Sequence, residues 1–353
     1  MNILSILYLL MQKQLLTTTF FMLSLMFPLK VSAQNYDEIY VFGDSFSDTG
    51  NVFNSTNGAI PPSPTYFNGN FSNGPVWVEY LASKLGLNFN PNTNFAFGGA
   101  TTGLDNLGLS FLPGLKQQIN DFTTVNKSAD PDALYIIWAG TNDYLQYFFD
   151  NTPNPKESVA NLSAAITSLA AVGAENIMVV NLPDLGKFPV TGGNSQTASI
   201  LTSFTNAHNS DLTTTINLLN QQLSPETNII PLDVNSLFNR IIADPEEFSF
   251  TNVTDSCVGE LSVVPIEVPV KPVVCEPDKF LFWDEIHPTT ATHELIGELA
   301  FFAVNSTSIP ESSTVLGVLT VSGLSALSLR KRRSYQFSAK QSNQKGRSTQ
   351  IIS

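Results

Sequence analysis

Four short apolar runs, at residues 38–43, 133–139, 176–182 and 228–234, are rich in Ile, Val or aromatic side chains and are separated by longer amphipathic stretches. Runs so brief and so continuously apolar suit strands buried on both faces, the condition of a parallel sheet covered by helices. A still shorter run at 94–97 is a fifth candidate strand. Parallel strands need crossover connections, and amphipathic patterns at 76–85, 113–125, 156–172, 196–223 and 289–304 supply helices for them. Gly173 reads as the stop of the third helix, and Glu157 or Ser158 as its N-terminal cap. No repeat of 20–50 residues and no Gly/Ser or Pro linker interrupts the body, so it reads as one α/β domain. Two stretches break the pattern: an Asn/Gly/Pro-rich loop at 51–75, and a Val/Pro-rich excursion at 257–278 that a hairpin would explain. Long loops at the carboxyl ends of strands are where α/β proteins place their sites.

Charge is distributed unevenly. The chain has 353 residues, only 13% of them charged, with 17 basic against 30 acidic groups. Two of the basic residues lie in 1–33 and seven in 330–353, where there are no acids; the body between keeps eight against all 30, a balance of −22. A surface of that kind lacks the clustered Lys and Arg that phosphate backbones require, so no nucleic-acid partner is expected.

The basic ends read as addresses. After Lys13 comes the apolar run 15–27 and then Val31-Ser32-Ala33, a small-residue cleavage site. Residues 1–33 are therefore expected to be a signal peptide for export, with Gln34 the mature start and Met11 an alternative initiator. At the other end Pro310-Glu311 precedes an apolar run at 314–329 and the cluster Arg330-Lys331-Arg332-Arg333. Sixteen residues make about 24 Å of helix, short of the ~20 residues that usually span a bilayer. The segment 310–333 resembles a PEP-CTERM sorting signal, which implies an exosortase-like processing partner in a bacterial envelope. It departs from that pattern in Ser312, where a second Pro is usual, and in the polar tail 334–353. A plain membrane anchor is the alternative. In an oxidising compartment the two cysteines, Cys257 and Cys275, with 17 residues between them, are expected to form a disulfide worth roughly 3 kcal/mol. No His pair accompanies them, so no metal is expected.

The first run ends in Gly43-Asp44-Ser45-Phe46-Ser47-Asp48-Thr49-Gly50-Asn51. A serine just past a buried strand is exposed on the carboxyl edge of the sheet and becomes a nucleophile if a base reaches it. Asp284-Glu285-Ile286-His287-Pro288 offers that base: an Asp three residues before a His can turn its carboxylate onto the imidazole and leave the other ring nitrogen for the serine. His208 and His293 fall inside expected helices and read as surface or packing residues. Gly140-Thr141-Asn142-Asp143 follows the second run, where the Asn142 amide can donate to negative charge developing on an acyl oxygen. Gly98-Gly99-Ala100 follows the run at 94–97 and offers an unhindered backbone N–H. The serine context lacks the second glycine of the Gly-x-Ser-x-Gly elbow, which argues against the α/β-hydrolase arrangement.

Taken in chain order, Ser45, Gly98-Gly99, Asn142 and Asp284-x-x-His287, the four blocks resemble the GDSL family of lipases and esterases in the SGNH-hydrolase superfamily, over residues 37–304. The resemblance implies a flavodoxin-like three-layer α/β/α sandwich with a central parallel sheet, spanning 34–309. It implies Ser45 as nucleophile, His287 as base and then acid, Asp284 as its orienter, and an oxyanion hole from the N–H groups of Ser45 and Gly99 with the Asn142 amide. Asp44 reads as a positioning residue; Asp48 and Asn51 as organisers of the turn. No cofactor is implied. The activity implied is hydrolysis of acyl esters through an acyl-enzyme; with the N-terminal pattern, an exported protein is expected, acting as a monomer. Acyl transfer, phospholipase action or an envelope binding module with a vestigial site are the alternatives. Tyr66, Phe67, Phe71, Trp77, Tyr144, Tyr147, Phe148, Phe149 and Trp283 lie in or beside loops that could border a site for an acyl chain or a lipid.

Overall fold

In the computed structural model, residues 36–149, 151–258 and 275–306 are described. Strands β1 (Ile39–Gly43), β2 (Leu134–Trp138), β3 (Asn176–Val180) and β4 (Asn228–Leu232) form one sheet in the order β1-β2-β3-β4, all parallel. The run at 94–97 adds to the free side of β1. Phe95 N–H donates to Val41 O at 2.7 Å and Phe97 N–H to Gly43 O at 3.1 Å. Counting that edge, the spatial order of the five segments is 2-1-3-4-5, the flavodoxin-like winding.

Why the sheet carries a layer on each side follows from strand periodicity. Successive side chains point to opposite faces, so Leu134, Ile136 and Trp138 enter one core while Tyr135, Ile137 and Ala139 enter the other. The first core is closed by α2 (Trp77–Lys84), α7 (Val234–Ala243) and α8 (Thr290–Ser306), through Trp77, Leu81, Phe238, Ile241, Ile296 and Ala300. The second is closed by α3 (Leu115–Val125), α5 (Pro155–Ala171) and α6 (Ser195–Gln222), through Ile119, Phe122, Ile166, Leu169, Leu212 and Ile216. The result is the expected three-layer α/β/α sandwich.

Two short helices, α1 (Asn51–Ser55) and α4 (Thr141–Leu145), and the longer α7 lie where no helix was expected. The start of α7 carries a local signal: the Asp233 side chain accepts from Ser236 N–H at 3.0 Å, an N-cap directly after β4. Helix α5 starts at Pro155 after Asn154. Neither Glu157 nor Ser158 caps it, because a proline fits the first helical turn and displaces the boundary upstream. Gly173 does end this segment, at φ 100°.

Strand β5 (Asn252–Ser256) pairs in parallel with β6 (Phe280–Phe282) in a small separate sheet. Cys257 and Cys275 are joined as a disulfide at its edge. Most of the excursion expected at 257–278 lies outside the described residues, as do the segment 1–33 expected as a signal peptide, the segment 310–333 and the tail 334–353.

Candidate active site

Gly43 ends β1 so tightly against its neighbour that a Cβ there would collide with the Trp138 carbonyl. The Gln118 side chain brackets it, accepting from Gly43 N–H and donating to Gly43 O, both at 2.9 Å. This close approach of β1 and β2 turns the chain sharply, and Ser45 follows in a turn closed by Ser47 N–H and Asp48 N–H on Asp44 O. Asp48 holds the turn from below, its carboxylate accepting from the N–H groups of Gly50, Asn51, Val52 and Gly98 at 2.6–3.2 Å. The Gly98 bond ties the serine turn to the glycine block. Asn51 donates to Asn94 O and Ala96 O at 2.9 and 2.8 Å, fastening the same two segments a second time.

The last block comes to this turn from the far end of the chain. β6 leads into Trp283-Asp284, and His287 Nε2 lies 2.8 Å from Ser45 Oγ across 242 residues of sequence. His287 Nδ1 sits 2.7 Å from Asp284 Oδ2 and 2.9 Å from Oδ1. Asp284 Oδ1 also accepts from the N–H groups of Ile286 at 2.8 Å and His287 at 2.7 Å. Burial by itself would raise this carboxyl, but the neighbouring His287 and these hydrogen bonds outweigh it and hold Asp284 below its usual range. A carboxylate fixed this way orients the imidazole so that Nε2 can accept the serine proton.

Asn142, in α4, donates to Ala100 O at 2.9 Å, which engages one of its two amide hydrogens. Gly99 has φ 81°, and a Cβ there would press on Asn106 Oδ1 at 2.5 Å. Only glycine adopts this conformation in that space without strain. Among the described residues no acceptor takes the N–H of Ser45 or of Gly99. The structure thus gathers Ser45, Gly99, Asn142, Asp284 and His287 on the carboxyl edge of the sheet. What the arrangement offers chemically is a hydroxyl with a base on it and, at the same edge of the sheet, backbone and amide N–H donors.

Sequence reasoning missed the supports of this site. Asp143, half-buried next to Asn142, accepts from Thr102 N–H, Thr102 Oγ and Ser158 Oγ at 2.6–2.8 Å, which pins the Asn142 helix to the loop after Gly99. Burial nevertheless raises its carboxyl above the ordinary value. Ser158, read as a cap, serves this contact instead. His208 and His293 are both fully buried, which pushes their imidazoles down to about 4 and about 3. Of the nine aromatics considered for lining, Tyr66, Phe71, Trp77, Tyr144 and Trp283 are buried, while Phe67, Phe148 and Phe149 are exposed. Phe71 lies against the His287 ring at 5.1 Å. Among the described residues no group of three or more His, Cys, Asp and Glu is placed to hold a metal ion.

Asp44 gives a pH prediction. Its carboxyl is fully buried, one oxygen accepting from Phe46 N–H at 3.1 Å and the other without a partner among the described residues. Burial pushes it up to about 7. The folded state therefore keeps a proton between about pH 4 and pH 7 that the unfolded chain has released, and stability falls with rising pH there by up to ~1.4 kcal/mol per unit. Asp44→Asn keeps the acceptor for Phe46 and removes this titration. In thermal unfolding from pH 4 to pH 7.5 the variant is expected to gain steadily on the native protein, since Asp48, His208 and His293 titrate in both and cancel. A constant difference in Tm across that range would refute the assignment.

A family model described as GDSL-like Lipase/Acylhydrolase matches residues 39–300. The phosphatidylcholine-sterol acyltransferase of Aeromonas hydrophila is 29% identical over 316 residues, covering 77% of this chain and 91% of that protein. The thermolabile hemolysin of Vibrio parahaemolyticus is 32% identical over 280 residues, covering 74% of this chain and 62% of that protein. Among solved structures, the inhibitor-bound aryl esterase of M. smegmatis aligns with 76% of this chain and 99% of its own at 18% identity and a TM-score of 0.43.

Proposed function

The chain belongs to the GDSL-like lipase/acylhydrolase family, and on that footing we propose that it is an exported serine esterase whose reaction runs through an acyl-enzyme on Ser45. The observation that carries this reading is the 2.8 Å contact of His287 Nε2 with Ser45 Oγ, backed by Asp284 on the other ring nitrogen. Ser45 Oγ attacks the ester carbonyl as His287 takes its proton. The N–H groups of Ser45 and Gly99 and the Asn142 amide stabilise the negative oxygen that forms. Protonated His287 then gives its proton to the departing alcohol, leaving the acyl group on Ser45. Water repeats the sequence with His287 again as base, releasing the carboxylic acid and restoring the serine.

The preferred substrate is an acyl ester with an apolar chain. Supporting this, Phe71 borders His287, and Phe67, Leu104, Phe111, Phe148 and Phe149 are exposed on loops that follow the site-bearing segments. Transfer of the acyl group to an alcohol other than water is a second reading, favoured by the acyltransferase among the relatives. Export rests on the pattern of residues 1–33 and on the disulfide. Sorting by an exosortase-like enzyme rests on the pattern of 310–333 alone.

A series of p-nitrophenyl esters of increasing chain length tests the reading, alongside labelling by a fluorophosphonate. Hydrolysis, with the label on the Ser45 peptide, is expected; a folded protein that neither hydrolyses nor labels would overturn it. Phosphatidylcholine with a sterol acceptor separates the two outcomes, free fatty acid for hydrolysis and steryl ester for transfer. Asn142→Ala is expected to lower kcat by about 10²–10³ with little change in KM, since the amide acts on the charged intermediate rather than the neutral ester. Steady-state kinetics on one ester of the series decides this.

A further inference from the structure

The Asn/Gly/Pro-rich loop at 51–75 contributes one buried polar group to the site. Tyr66 is 1% exposed, and its hydroxyl donates to Asp284 Oδ2 at 2.7 Å across 218 residues. Among the described residues it is the one side chain other than His287 that hydrogen-bonds this carboxylate; the remaining donors are the backbone N–H groups of Ile286 and His287.

The ring is held from several sides. Trp283 meets it edge-on at 6.4 Å and Phe71 at 6.5 Å, and it packs in one cluster with Val258 and the disulfide cysteines. Val258 N–H donates to Trp283 O at 2.8 Å and Cys257 N–H to Phe282 O at 3.1 Å, so the cluster is fastened to the segment that delivers Asp284. A phenol confined this way reaches Asp284 without touching bulk water.

We propose that Tyr66 is a positioning residue of the hydrolytic site, acting through Asp284 to set how strongly that carboxylate draws the His287 proton; this rests on the reading of Ser45 and His287 given above. A phenolic hydrogen bond takes up part of the carboxylate's charge. With it, Asp284 orients the imidazole and stabilises its protonated form only moderately, so the proton can be returned to the departing alcohol. Without it, Oδ2 keeps only its bond to His287 Nδ1 and holds the imidazolium more tightly, while Oδ1 stays fixed by the N–H groups of Ile286 and His287.

Tyr66→Phe deletes the hydroxyl and keeps the ring. It is expected to lower kcat about 10-fold, the scale of a hydrogen bond to a charged group, with KM nearly unchanged because the ring does not face solvent. The acidic limb of the kcat/KM profile moves to higher pH. Asp44 and His293 are two further titratable groups that interact electrostatically with His287, and both are retained. Val258→Ala loosens the same cluster without touching Asp284 and is expected to leave the limb in place. In an Asp284→Asn background Tyr66→Phe is expected to cost less than 2-fold. The downfield Nδ1 proton resonance of His287 supplies a readout that needs no turnover, shifting in Tyr66→Phe and not in Val258→Ala. An unmoved limb and resonance in Tyr66→Phe, or an equal shift in Val258→Ala, overturns the proposal while Ser45-dependent hydrolysis by the native protein leaves the wider reading intact. Absence of hydrolysis overturns that wider reading, and the resonance still decides the Tyr66–Asp284 coupling.

Discussion

Ser45→Ala is expected to slow hydrolysis of p-nitrophenyl esters by about 10⁵–10⁶ in kcat, the loss seen when the nucleophile of a serine hydrolase is removed. The substitution deletes one oxygen on a largely buried residue at the end of β1. Its neighbours do not depend on that oxygen, because the turn is closed by backbone bonds and by Asp48 rather than by Ser45 Oγ. The variant should therefore keep its circular dichroism spectrum and its melting transition. Activity over background of about 10³–10⁴ is still expected, since the donor groups of Gly99 and Asn142 remain. Burst kinetics gives the second readout: release of p-nitrophenol in stoichiometric excess early in the time course, present in the native protein and absent in the variant. Undiminished hydrolysis by Ser45→Ala would remove Ser45 from the reaction.

Asp284→Asn is expected to cost about 10³–10⁴ in kcat while leaving the fold intact. Asp284 Oδ1 accepts two backbone N–H groups, those of Ile286 and His287. An asparagine satisfies both only by keeping its carbonyl oxygen there, which turns its NH₂ toward His287 Nδ1. Nδ1 must then accept, the ring carries its proton on Nε2, and Ser45 Oγ no longer has a base. The loss should thus be larger than one hydrogen bond would predict, and it should be present across the pH range rather than confined to low pH. A fall of less than 10-fold would show that Asp284 does not govern the imidazole. Tyr66 donates to the same carboxylate, so the two substitutions are not independent and their effects should not add.

Each part of this site was legible to a different degree, and the reasons are physical. Strands β1 to β4 stood out because a parallel strand buried on both faces must be apolar throughout, a signal that needs no partner to be recognised. Ser45, Asn142 and His287 stood out because their chemistry is concentrated in short runs just after such strands or just before a helix. The start of α7 escaped notice although Asp233 caps it, because an Asp followed by three ordinary residues is as common in turns as at helix starts. Ser158 was misread for the complementary reason. Its hydroxyl fits a cap by type, and only the approach of Asp143 from another segment shows where it is used.

Two of the observations have no trace in local pattern at all. Tyr66 sits in a loop with no periodicity, and its partner lies 218 positions away. Asp143 and Thr102 are 41 positions apart, and the charge on Asp143 reads along the sequence as an exposed acid rather than an anchor between two segments.

The sequence by itself determined the α/β class, strands β1 to β4, five of the helices that cover them, and which residue types stand at the carboxyl edge of the sheet, because strand burial and turn chemistry act over a few residues. Only the tertiary structure decided that His287 reaches Ser45, that Gly99 and Asn142 come to the same edge of the sheet, and that Tyr66 and Asp143 hold the assembly from behind. Those contacts arise from how β1, β2 and β6 pack, and the free energy that selects them belongs to the closed core, which no short stretch of chain contains.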